Sequence, residues 1–104
     1  MARSGSAKLL SAAASTGAGT VEFESSKFNA FTFHAKGAGT AVLSFAIEVY
    51  DSEQAEWFQI HTDSFSADGE KVIQYNGAIQ KVRGNVTART TGNLTLSVQA
   101  QGPN

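Results

Sequence analysis

The chain has 104 residues, of which 41% are hydrophobic and 16% charged, with a formal net charge of −1, ten Gly, one Pro, seven Phe and no Cys. This length makes one domain with a modest core, and the near-neutral balance excludes a general electrostatic pull toward nucleic acid or an anionic membrane. Without thiols there are no disulfides and no thiolate metal sites, and no apolar run reaches the length of a membrane span.

Residues 1–19 are rich in Ala, Ser and Gly. Their apolar run, Leu9-Leu10 with Ala12-Ala13-Ala14, is broken by Ser11 and is a poor signal-peptide core, so the product is expected in the cytosol when made. A segment this short of bulky groups buries little, and the composition predicts an extended N-terminal arm over 1–19 and a folded domain over 20–104. Leu9 and Leu10 are its only anchors and are expected to meet a partner.

Thr20 to Glu24 alternates as a short strand. Phe31, Phe33 and Ala35 alternate with Thr32, His34 and Lys36 in a second, and Gly37-Ala38-Gly39 supplies the turn that follows. The longest pattern lies between Ala41 and Asp63. Ala41, Leu43, Phe45, Ile47 and Val49 form an apolar row, and Asp51 to Glu56 make a polar turn. A returning row, Phe58, Ile60 and Thr62, completes a hairpin with a strongly specified register. Asp68-Gly69 and Asn76-Gly77 read as further hairpin turns around a strand over Lys71–Tyr75. Val82 to Ala88 alternates next, Thr91-Gly92-Asn93 turns the chain, and Leu94, Leu96, Val98 and Ala100 complete it before a polar end, Gln101-Gly102-Pro103-Asn104. Seven or eight short strands without a convincing helix predict an all-β, antiparallel β-sandwich of immunoglobulin-like or jelly-roll type.

The sequence offers little catalytic chemistry. His34 and His61 fall on the polar parity of their strands without carboxylates at ligand spacing, and no nucleophile elbow or phosphate loop is present. No catalytic, cofactor or metal residues are assigned, and no enzyme is expected. The sequons at Asn85 and Asn93 read as chance matches in Thr-rich strands. Candidate contact residues are aromatic, apolar or basic. Trp57 and Tyr50 lie on the outward side of the hairpin, suited to a protein partner or a sugar ring, with His61 near them in the glycan reading. Val42 leaves the long strand sticky on its outer face. Every charged residue from Glu48 to Glu70 is acidic and every one from Lys71 onward is basic, and Lys81, Arg83 and Arg89 share one parity. Either the two halves neutralise each other within the chain, or acidic hairpin meets basic strand head to tail between copies.

Phe31-Thr32-Phe33, the run from Leu43 to Asp51, Trp57-Phe58, Val82-Arg83-Gly84-Asn85-Val86-Thr87 and the closing Gly92-Asn93-Leu94-Thr95-Leu96 together resemble small β-sandwich structural proteins of tailed bacteriophages. The hairpin departs from that pattern: Asp51 to Glu56 stands where a Gly-Thr-Asn turn is usual. The resemblance spans roughly residues 20–100 and implies a capsid decoration or cement protein. It would be made in the host cytoplasm and carried in many copies on the virion surface, bound to the major capsid protein or other virion proteins. A glycan- or receptor-binding module and a head–tail or tail-tip connector are the alternatives.

Overall fold

The structure, a computed structural model, describes residues 3–102. Met1 and Ala2 of the expected arm, and Pro103 and Asn104 of the polar end, lie outside the described residues. The elements run β1 (Arg3–Ala13), β2 (Gly17–Ala18), β3 (Phe23–Glu24), β4 (Ala30–Asp51), β5 (Glu56–Phe65), β6 (Gly69–Asn76) and β7 (Lys81–Gly102), all in one antiparallel sheet.

Strands β4 and β7 have 22 residues each and decide the architecture. Side by side over most of their length, they change neighbours half-way. The first half of β4 and the second half of β7 are flanked by β6 and β1. The second half of β4 and the first half of β7 are flanked by β5 on one side and by β2 and β3 on the other. The sheet therefore folds over on itself into a first layer (β1, β7, β4, β6) and a second (β2 and β3, β7, β4, β5).

The fold-over is a pair of matched bends. The β4–β7 ladder is interrupted between Ala38 and Val42, beside Gly39 and Thr40 in left-handed conformation (φ 72° and 61°). Opposite, Gly92 has φ 85°, and a Cβ there would lie 2.6 Å from the Ala41 Cα, so the two bends touch through bare backbone. An L-residue with a side chain is strained in that region, which is why glycine occupies the point of contact. Asp68 accepts the Ala41 N–H at 2.7 Å, satisfying a donor at the broken ladder. Both glycine strings therefore mark bends within continuous strands, not reversals between separate ones. Likewise Asp68-Gly69 and Asn76-Gly77 join strands that pair with β4 or β7 rather than with each other; of the turns read as hairpins, only Asp51–Glu56 reverses a paired strand on itself.

The layers share one core. Phe31, Phe33, Leu94, Leu96 and Val98 of the first meet Phe45, Ile47, Val82 and Val86 of the second, all essentially inaccessible to water. At Gly84 a Cβ would come within 2.8 Å of Leu96 and 2.9 Å of Leu10, so the absent side chain lets the layers approach. Burying each Phe or Leu contributes about 1.5–3 kcal/mol.

The N-terminal arm needs correction. Arg3–Ala13 is a full strand paired along β7, with Leu9 1% and Leu10 6% exposed in the core. Adjacent strand residues ordinarily face opposite ways. A register shift between Lys8 and Leu10 turns both leucines inward. Two well-placed leucines and a ladder of backbone hydrogen bonds anchor a segment whose composition alone predicts no anchorage.

Candidate functional site

Four of the candidate residues come together on the outer face of the second layer, where β4 runs into its hairpin. Tyr50 and Trp57 are direct cross-strand partners, their ring centroids 5.2 Å apart and the planes inclined by 56°. Strand β7 brings two cations against them. The Arg83 guanidinium carbon lies 4.1 Å from the centroid of the Trp57 ring, and Lys81 Nζ lies 4.4 Å from that of Tyr50. Both fall within the range of cation–π attraction.

What holds Arg83 is a carboxylate, Glu48, that residue type and parity alone do not place in the site. Glu48 sits directly across the ladder from Arg83 and, though on the outward parity, is only 6% exposed. Arg83 Nε donates to one of its oxygens at 2.8 Å and Asn85 Nδ2 to the other at 3.0 Å. Burial alone would push the Glu48 carboxyl up, but the bonds from Asn85 and Arg83, the Arg83 charge and a bond from Gln59 together hold it below the ordinary glutamate range. On the other flank Glu22 pairs with Lys81 at 3.3 Å. The result is a chain of contacts, Asn85–Glu48–Arg83–Trp57–Tyr50–Lys81–Glu22, laid across β7, β4 and β5 and ending on the residue before β3. Its one sequence signal is Glu48 itself, a lone acid between Ala46 and Tyr50 on a strand face. Asn85, a sequon residue, spends its side-chain nitrogen on that acid.

No protein-family model matches the chain, and no curated protein sequence matches it. Among solved structures, the SPBc2 prophage-derived protein YomS superimposes with a TM-score of 0.69 at 14% identity, over 98% of this chain and 96% of that one. The fold is shared with a prophage-derived protein. PirA follows the same path at a TM-score of 0.51 and 9% identity, over 94% of this chain and 83% of that one. A carbohydrate-binding module of family 29 is more distant (TM-score 0.48, 14% identity, 95% of this chain and 89% of that one).

The remaining candidates lie elsewhere. Leu9 and Leu10 are in the core and offer no surface to a partner. Arg89 leaves the row of Lys81 and Arg83, because the β4–β7 register slips between Ser44 and Phe45 and changes its parity. Its Nε donates to the Gly92 carbonyl at 2.7 Å, bracing the bend. Val42, 38% exposed, borders a shallow depression that Arg89 also lines, far from Trp57.

His61 does not join the aromatic pair either. A register shift beside Ile60 moves it from the face of Trp57 to that of Ile47, at the open edge where Asp63 lies 3.5 Å away. Asp63 also pairs with Lys71 of β6 at 3.4 Å, tying the two layers together at this edge. The same shift breaks the expected row of Phe58, Ile60 and Thr62. Phe65 is the β5 ring that enters the core, stacked 6.0 Å from Phe45, while Phe58 remains 39% exposed. Glu48–Arg83 and Asp63–Lys71 pair the acidic and basic halves within the chain, as the intramolecular account of the charge pattern expects. Among the described residues, no group of three or more His, Cys, Asp or Glu is placed to hold a metal ion.

Proposed function

We propose that this chain is a non-enzymatic structural protein of a bacteriophage particle, seated on a neighbouring virion protein through the Tyr50–Trp57–Arg83–Lys81 patch. The observation that carries the reading is the make-up and rigidity of that patch. Tyr, Trp and Arg are the residue types that dominate binding energy at protein interfaces, and here a buried carboxylate and a paired ladder fix them before any partner arrives. The fold shared with a prophage-derived protein supports the setting.

Within that setting the preferred role is capsid decoration or cement: many copies bound to the major capsid protein on the head surface, after synthesis in the host cytoplasm. A head–tail or tail-tip connector differs only in copy number and location. A glycan at this patch is less favoured, since the Arg83 guanidinium already lies over the Trp57 ring that a sugar would need. Head-to-tail association of copies is less favoured too, because Arg83, Lys71 and Lys81 each have an acidic partner within the chain.

Reconstitution of particles with purified variants tests the proposal. Trp57→Ala is expected to weaken particle binding by roughly thirtyfold, equivalent to about 2 kcal/mol for a central interface residue, with the fold verified by circular dichroism. Full occupancy with both Trp57→Ala and Tyr50→Ala would overturn it.

A further inference from the structure

The outer face of the first layer carries a second feature, a groove of about 670 Å³ along the start of β4. Its shape follows from side-chain length. The central strand β4 contributes Ala30 and Thr32 as a short floor. Its neighbours contribute long carboxamides as walls, Gln99 and Gln101 from β7 on one side and Gln74 and Asn76 from β6 on the other. Ser6, opposite Gln99, extends the second rung onto β1. Four strands at a spacing of about 4.8 Å make such a rung roughly 14 Å wide. The volume lies within the range of small-molecule sites, roughly 300–1,000 Å³.

The lining is chemically selective. None of its residues is charged, although 17 of the chain's 104 residues are, and the next rung along already brings Lys8 and His34. A face that serves only solubility mixes Lys, Glu, Arg and Asp. An anionic ligand, including nucleic acid, would find no cation here, and an apolar one would find amides. Each carboxamide presents two N–H donors and an oxygen with two acceptor sites in one plane, and each hydroxyl both gives and takes a hydrogen bond. The matching ligand is neutral, extended and dense in hydroxyls.

We infer that this groove is a binding site for a neutral glycan chain, laid along β4 between the carboxamide walls. It lies on the layer opposite the Trp57 patch, so a copy seated through that patch holds the groove away from the particle, toward whatever surface the particle meets. The site does not depend on the proposed docking role, and the two fail separately.

The test is an array of neutral gluco-, galacto-, manno- and N-acetylglucosamine oligosaccharides, with sulfated and sialylated glycans beside them, probed with the full chain and followed by titration of the best neutral binder. At least one neutral series is expected to bind. Gln74→Ala with Gln99→Ala is expected to reduce its affinity about tenfold or more, from the loss of several hydrogen bonds. Ala30→Phe, which fills the floor, is expected to abolish binding, and Trp57→Ala to leave it unchanged. Near-ultraviolet circular dichroism confirms that each variant keeps its packing. Binding to no neutral glycan, binding confined to the anionic ones, or unchanged affinity in the Gln74/Gln99 variant would each overturn the assignment.

Discussion

Removing the first strand separates an arm from a structural element. If residues 1–13 were an appendage, their deletion would leave stability untouched. In the structure the deletion takes Leu9 and Leu10 out of the core and bares the flank of β7. Truncating a buried leucine to alanine costs about 2–5 kcal/mol, so Leu9→Ala alone is expected to fall in that range. The pair are neighbours and need not add, but together they approach the whole stability of a typical domain, about 5–15 kcal/mol. Full deletion is therefore expected to leave the chain unfolded or molten at room temperature. Urea unfolding followed by the fluorescence of Trp57, the single tryptophan, measures all three variants against the intact chain. A deletion variant within about 1 kcal/mol of the parent, with an unchanged denaturant slope, would refute the placement of β1 in the sheet.

Two further outcomes bear on the bend and on the site. Gly92→Ala is expected to destabilise by at least about 2 kcal/mol, because the new methyl group meets the Ala41 backbone in a left-handed conformation that alanine resists; an unchanged urea midpoint would contradict the contact between the bends. The Glu48 carboxyl is held below its unfolded value, so it contributes stability at neutral pH that fades as pH falls below the ordinary glutamate range and through the lowered folded value. Wild type should accordingly lose more stability than Glu48→Gln between ~pH 7 and ~pH 3, and parallel profiles would show that the buried pair is not formed in solution.

The strand content and the inward rows Phe31–Phe33, Leu43–Phe45–Ile47 and Leu94–Leu96–Val98 were legible because a two-residue period survives wherever the ladder is regular. What the period cannot reveal is a slip. Irregularities beside Leu9, Ile60 and Val86 each change parity, and they account for the inward Leu10, for His61 at the open edge and for the departure of Arg89 from the basic row. Gly39 and Gly92 signalled backbone turns correctly. Whether a turn reverses the chain or only bends it depends on the strand alongside, which lies about fifty residues away in sequence. Tyr50, Trp57, Lys81 and Arg83 could be singled out one by one from residue type and parity. Their convergence, and the role of Glu48 in it, needed the register that sets Glu48 opposite Arg83. The carboxamide groove left no mark in the sequence, since four amides on two strands that flank a third form no motif.

The pairing of β1 with the far half of β7 also governs when the molecule can form. A nascent chain that has emerged only as far as β6 holds Leu9 and Leu10 with no strand to receive them, and both layers lack a central member. The ribosome must therefore release the whole of β7 before any lasting structure appears. The joining of distant segments then sets a pace of milliseconds to seconds rather than microseconds. Until that moment the apolar rows of β4 stand unprotected, and the chain is exposed to aggregation through them.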